Sequence, residues 1–416
     1  FAEGDPLSTL RGQAWSMASL MGQQAPDGSY TFDADRRDEG VFKGYDFHEL
    51  GKPGEVEVGL IARNAYALLR AARLTGDRLV WEAGLRSLRR MRAFRVPRAA
   101  QVWEVPVHTP DILAAADAVE AYLEAYRIDG DRQWLDDARR WAMAGMPFVY
   151  VWNAPGKLWM RWGSIPVFGA TQMRGSWFGN IVQWNGLRYA GALLKLYPYD
   201  AKMRLAGLSW RDVAMGITRC AMYQQSTKKE IYTLWPDSYH TITNTRAAWD
   251  FAPRQILKNV FAYMGRSEEP ETVRVSGDGG SVARISSLGT ITQTSWKGDN
   301  LAFSVRHPSR MRGTVVVAGV SRPSAVQIGS ARIPEVAALR RDEACWRYDS
   351  SLKALAVRIP SDAPSQVRIF GIQPATPSFI PIPETRLWFD FDADDGGWSP
   401  EHDVAGFGVR EGALTG

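Results

Sequence analysis

Residues 56–94, VEVGLIARNAYALLRAARLTGDRLVWEAGLRSLRRMRAF, decide the fold class. Leu60, Ala65, Leu68, Leu69 and Ala72 recur at helical spacing, and Thr75-Gly76-Asp77 then ends one helix and starts the next. Glycine supplies a left-handed helix end, and the aspartate after it caps the helix that follows. The pattern returns over residues 111–146, DILAAADAVEAYLEAYRIDGDRQWLDDARRWAMAGM, with Asp129-Gly130-Asp131 at the junction. Gly76 and Gly130 stand 54 residues apart and do the same job. Such a period signals a repeat of α-hairpins.

Working outward, the expected helices are 7–22, 55–75, 78–94, 111–128, 132–146, 181–197, 208–225 and 251–264. Short connectors follow the second, fourth and sixth of them. Long ones, 23–54, 95–110, 147–180 and 226–250, follow the first, third, fifth and seventh. In an up-down array, alternate connectors project to the same end, so the four long ones are expected to share one face. From about residue 268 the period drops to two. ETVRVSG, GTITQTSW, NLAFSVRH, GTVVVAGV, SAVQIGS, CWRYDSSLKALAVRIP and SQVRIFGI read as short strands of an antiparallel sandwich. The expected division is a helical domain over 1–266, a β-sandwich over 267–373, a stiff Pro-rich linker over 374–386, and the opening of a further, jelly-roll-like β domain over 387–416.

Composition bounds the class. The chain has 416 residues, 45% apolar and 23% charged, as in globular proteins. No apolar run reaches membrane-spanning length. A net charge of +5 gives little support for nucleic-acid or membrane binding. The two cysteines, Cys220 and Cys345, fall in different expected domains and lack metal-type spacing. The chain begins at Phe1 without a signal-like segment, and further domains of the same polypeptide are expected beyond both ends.

Of the seventeen Trp, seven lie in the long connectors: Trp103, Trp152, Trp159, Trp162, Trp177, Trp235 and Trp249. Large aromatics in loops need a reason, and the set points to an aromatic-lined cleft. Trp offers a flat apolar face and an N–H donor, which suit sugar rings. His48, His108 and His240 share these connectors, but no HxxxH-type pair supports a zinc site. Glu104, between Trp103 and Val105, has apolar neighbours that would keep a carboxyl protonated. Asp237 follows Trp235 by two residues. Asp46 and Glu49, with Asp33, Asp35, Asp38 and Glu39, form an acidic stretch better read as a solvated surface. Arg92, Arg95 and Arg98 end a basic helix at the long-connector side, where an anionic polymer would find them. Cofactors are not required on this reading. Asp390, Asp392, Asp394 and Asp395 offer an oxygen-rich stretch for a structural calcium ion.

The α-hairpin repeat, the LTGD and IDGD junctions, the Trp-rich connectors and the following sandwich resemble the six-hairpin glycosidase-like superfamily. The resemblance covers roughly 7–266 and 268–373. It implies an α+β multidomain chain with an (α/α) toroid; eight helices stand where a full ring has twelve, so either further hairpins precede Phe1 or the toroid is partial. It also implies a carbohydrate-active enzyme, and it transfers no residue role. Three functional readings follow. The first is a glycoside hydrolase acting on a polysaccharide or oligosaccharide, with Glu104 as general acid, Asp237 as base or nucleophile, and Trp103, Trp152, Trp159, Trp162, Trp177, Trp235, His108, Asp46 and His48 around the substrate. The second is a polysaccharide lyase in which Tyr239 or His240 abstracts a proton beside a uronate while Asn244 and Arg246 neutralise its carboxylate. The third is a non-catalytic glycan-binding or cell-surface module. An extracellular or periplasmic location follows from the glycan readings.

Overall fold

The computed structural model describes residues 4–34, 46–153, 155–156, 160–171, 175–176, 180–241, 243–266, 268–308, 311–377, 408–410 and 413–415. Trp159, Trp177, Asp35, Asp38, Glu39 and the aspartates from Asp390 to Asp395 lie outside the described residues, as do most of the expected linker and C-terminal β segment.

Among the described residues, eight α-helices form antiparallel hairpins: α1 (Pro6–Gln23), α2 (Val58–Thr75), α3 (Arg78–Met91), α4 (Ile112–Asp129), α5 (Arg132–Gly145), α6 (Gln183–Leu196), α7 (Trp210–Tyr223) and α8 (Arg254–Tyr263). The junction chemistry explains why they break where they do. Gly76 (φ 81°) and Gly130 (φ 77°) take the left-handed C-cap and return their N–H groups to Ala72 and Tyr126. Asp77 then accepts from Leu79 and Val80 N–H, and Asp131 from Gln133 N–H, to open α3 and α5. Helices α2, α4, α6 and α8 pack side by side in that order, and α3, α5 and α7 lean on α2, α4 and α6 from outside. The result is an arc of two helical layers.

Hydrophobic packing between the layers is continuous, from Leu69 and Leu88 through Tyr122 and Trp141 to Leu193 and Trp210. A charged seam holds the α2, α4 and α6 layer differently. Asp117, Glu120 and Glu124 form an acidic stripe on α4, and basic side chains on the flanking helices answer it. Arg73 of α2 bonds Glu124 at 2.6 Å, Lys195 of α6 bonds Glu120 at 2.7 Å, and Arg188 of α6 bonds Asp117 at 3.0 Å.

The sandwich follows. One sheet runs, edge to edge, Cys345–Asp349, Ala354–Ile359, Gly313–Ala318, Val282–Ser287 and Glu271–Ser276. The other runs Ala331–Ile333, Ala325–Ile328, Ser365–Phe370, Asn300–Arg306 and Thr290–Lys297. Every residue of the strands Gly313–Ala318 and Ala354–Ile359 is buried. Val315, Val317, Leu355 and Val357 face Phe303, Val305 and Ile369 of the second sheet. Their alternates Val316, Ala318, Ala354 and Ala356 pack against Leu7, Leu10, Met17, Leu68 and Ala72 of α1 and α2. The sheet is therefore a middle layer between helices and strands, which explains why GTVVVAGV is apolar at successive positions.

One expectation is corrected. Residues 226–250 are not an irregular connector: Trp235–His240 and Thr245–Phe251 pair as an antiparallel hairpin, and Asn180–Ile181 joins its edge opposite Tyr239 and His240. Aromatic Trp235 and Tyr239 and β-branched Thr245 favour extended chain, and Asn244 (φ 56°) takes the left-handed turn position that asparagine tolerates.

Candidate active site

The four long connectors are stitched to one another in chain order around one rim. Val107 N–H donates to Leu50 O at 2.7 Å, joining the first to the second. Ile112 N–H donates to Pro166 O at 3.1 Å, and Phe168 N–H to Pro110 O at 3.1 Å, joining the second to the third. The Asn180–Ile181 pairing with the hairpin joins the third to the fourth.

The second connector carries Trp103 and Glu104 in a turn whose N–H groups at Glu104 and Val105 both return to Gln101 O. Two buried side chains pin this turn. Gln101 donates to Pro166 O at 3.2 Å and accepts from Asn185 of α6 at 3.0 Å. Asp111 takes Ala100 N–H at 3.0 Å on one oxygen and Ala114 N–H at 2.9 Å on the other, capping α4 while fixing the chain before it. Complete burial raises the Asp111 pKa to about 7.

Trp103 stacks on Trp184 of α6, with ring centroids 6.3 Å apart and planes 27° apart. The Trp184 indole N–H donates to Asp237 Oδ1 at 3.1 Å. Asp237 sits where the hairpin register shifts between Pro236 and Ser238. Such a bulge re-aims a strand side chain. A relay of Trp103, Trp184 and Asp237 thus crosses from the second connector to the fourth.

Two hollows flank this relay. On the Trp103 side, about 580 Å³ is lined by Tyr30, Phe32, Asp33, Arg63, Asn64 and Trp103. On the Trp184 side, about 410 Å³ is lined by Trp184, Arg188, Trp235, Phe251, Ala252, Arg254 and Gln255. Helix α8 begins at the second hollow with no side-chain cap and no acid in its first turn. Asp117 links the two: it bonds Arg188 of the second hollow and feels the charge of Arg63 in the first. Burial, only partly offset by Arg188 and other neighbours, raises its pKa to about 6.

The remaining expected residues fall into place less uniformly. Trp235 lines the second hollow but is buried, its N–H donating to Ala252 O and its ring against Phe251. Trp162 belongs to the packing under the rim, because its indole lies against Gly216 of α7 so closely that a Cβ there would stand 2.4 Å from the ring. Trp152 is 54% exposed beside Tyr150 and is not among the residues lining either hollow. Tyr239 is buried, which raises its phenol pKa. His240 Nδ1 faces the Thr243 hydroxyl at 2.9 Å within its own turn. Arg246 is tied to Gln224 O at 2.7 Å and to the Asp250 carboxylate, and Asn244 shapes the turn. Asp46 accepts from His48 N–H and caps the short turn Phe47–Glu49. The three arginines expected to greet an anionic polymer are occupied elsewhere: Arg92 by Asp137 at 2.8 Å, Arg95 by Arg92 O at 2.7 Å, and Arg98 by Glu57 at 3.3 Å. Among the described residues, no group of three or more His, Cys, Asp or Glu side chains is placed to hold a metal ion.

His108 bridges the first and second connectors, with Nδ1 at 2.9 Å from Glu57 and Nε2 at 3.2 Å from Glu55. Hydrogen bonding to Glu57 is the leading cause of its raised pKa, while the backbone bond from Lys52, outweighing burial, leads in lowering that of Glu55. A raised folded pKa favours the protonated histidine. Its stabilisation is complete below the ordinary value of 6.5 and fades as pH rises through the folded value. The Glu55 contribution is present above 4.5 and fades as pH falls through its lowered value. The wild type is expected to lose more thermal stability than His108→Ala between about pH 6 and about pH 8. Parallel melting curves for the two proteins across that range would remove the clasp.

No family model matches the chain, and no curated protein matches it. Similar solved structures include a glycoside hydrolase family 76 mannosidase from Bacteroides thetaiotaomicron, 11% identical over 62% of this chain and 66% of that one, with a TM-score of 0.43. An unsaturated glucuronyl hydrolase specific for heparin is 15% identical over 58% of this chain and 54% of its own length, with a TM-score of 0.37. The cellobiose 2-epimerase from Bacillus thermoamylovorans is 10% identical over 62% of this chain and 68% of its own, at 0.39. None of these likenesses assigns a role to a residue of this chain.

Proposed function

We propose that the rim binds a glycan across the Trp103–Trp184 pair and hydrolyses a glycosidic bond with Glu104 and Asp237. The observation that carries this reading is the bond from Trp184 to Asp237. It joins a ring surface suited to the C–H faces of sugars to a carboxylate from a different connector. Glu104, next in sequence to Trp103, supplies the second carboxyl. In the reaction, Glu104 delivers its proton to the leaving glycosidic oxygen. Asp237 either takes a proton from the attacking water or attacks the anomeric carbon itself, and water is added across the bond in either route. The cleft is open at both flanks, which suits a chain of sugars rather than a single ring. Export from the cell follows from this reading.

The test is a glycan panel assayed for new reducing ends and for the ultraviolet absorbance of a new C=C bond. Reducing ends without that absorbance are expected. On whichever glycan is cleaved, Trp103→Ala is expected to raise KM by about tenfold through loss of the stacking face. Absence of both cleavage and binding across the panel would remove the reading, and the C=C signature would replace hydrolysis with elimination.

A further inference from the structure

We infer that the hollow on the Trp184 side is a subsite for a sugar ring carrying an anionic group, a carboxylate or a sulfate. The inference rests on the reading of the rim as a glycan cleft and adds its substrate class. Three rings, Trp184, Trp235 and Phe251, supply apolar surface to this hollow, and two guanidinium groups, Arg188 and Arg254, supply charge. Gln255 is the other polar side chain there, and no acid is among the described lining residues. That balance is unusual for a neutral sugar, whose hydroxyls are served best by carboxylates and amides that both donate and accept. Arginine offers only donors, in a planar fork that matches a carboxylate or sulfate.

Arg188 is held in place from behind. It donates to Asp117 at 3.0 Å, yet its side chain is 39% exposed, and it lines both this hollow and a neighbouring one that holds Glu120, Glu268 and Glu269. Arg254, at the first position of α8, is exposed. The backbone N–H groups of that uncapped turn add a field of the same sign. Of the arginines that the sequence suggested for such a role, Arg92 and Arg98 are paired with Asp137 and Glu57, and Arg95 bonds backbone carbonyls at the end of its own helix, so the inference rests on the α6–α8 side of the cleft.

The experiment measures calorimetric binding to Glu104→Gln, in which turnover is removed, with Asp237→Asn as a second background. The probes are a uronate-containing hexasaccharide, its carboxyl-reduced counterpart, and a sulfated neutral hexasaccharide. At least one charged probe is expected to bind about tenfold tighter than the carboxyl-reduced one, and the advantage should shrink with added salt. Arg254→Gln should lower that advantage to within about twofold, because the exposed position tolerates the change while the charge is lost. Equal affinity for charged and carboxyl-reduced probes, or a full preference surviving in Arg254→Gln, overturns the subsite. The two readings fail separately. Charge-selective binding without cleavage by the wild type would leave the subsite and remove the hydrolase, and cleavage of neutral glycans without charge preference would do the reverse.

Discussion

Glu104→Gln and Asp237→Asn are each expected to lower kcat by about 10²–10⁴-fold while changing glycan affinity little. Both substitutions keep shape and remove only the capacity to give or take a proton. At residue 237 the amide oxygen of Asn can still accept from Trp184, so the relay to Trp103 persists and the loss reads on chemistry rather than on folding. At residue 104 the turn is fixed by backbone bonds to Gln101 and by the anchoring of Gln101 and Asp111, none of which needs the Glu104 carboxyl. Initial rates from reducing-end release, set beside calorimetric affinity for the same oligosaccharide, separate the two effects. Full activity in both variants would dismiss this acid pair.

The second large effect concerns stability. Arg73→Ala is expected to destabilise the protein by about 3–5 kcal/mol, because it leaves a buried carboxylate without its main partner. Arg73 is 2% exposed. It bonds Glu124 at 2.6 Å, Pro270 O at 2.9 Å and Thr272 Oγ1 at 2.8 Å, so one side chain ties α2 to α4 and both to the first strand of the sandwich. Burial alone would raise the Glu124 pKa, but Arg73 and Arg127 outweigh it and the value is lowered. A lowered folded pKa gives stability that is present above 4.5 and lost as pH falls through the folded value. The Arg73→Ala penalty should therefore shrink in acid. Denaturant unfolding at neutral pH and near pH 3 measures both parts; a neutral-pH difference under about 1 kcal/mol would show the pair to be dispensable.

The helices and strands were legible in the sequence because their signals are local. Gly76 and Gly130 mark helix ends by a backbone requirement, and the capping aspartates follow at once. Less legible was everything that depends on what a face meets. GTVVVAGV reads as a strand, but only the packing of α1 and α2 shows why its alternation is missing. The hairpin over 235–251 hid because a connector between helices is expected to be irregular, although strand-favouring Trp235, Tyr239, Thr245 and Trp249 flank its turn. In the site, Trp184 escaped notice by lying in the first turn of α6 rather than in a connector, and the seven connector tryptophans hold positions as different as those of Trp103 and Trp162. Asp117, Glu120 and Glu124 did leave a trace: acids at helical spacing along an alanine-rich, mostly buried helix require cations from neighbouring helices. Which cations answer them, and hence which arginines remain to line the hollow beside Trp184, is a matter of tertiary contact.

The rim is zipped edge to edge, each connector hydrogen-bonded to the next along its backbone. Among the described residues, moving one joined segment aside would break the backbone bonds to its neighbour. On the proposed reading, glycan capture would resemble docking onto a finished mould more than the shutting of a jaw. Association should then be a single kinetic phase, with an observed rate that climbs linearly with ligand concentration and shows no plateau from a slow rearrangement.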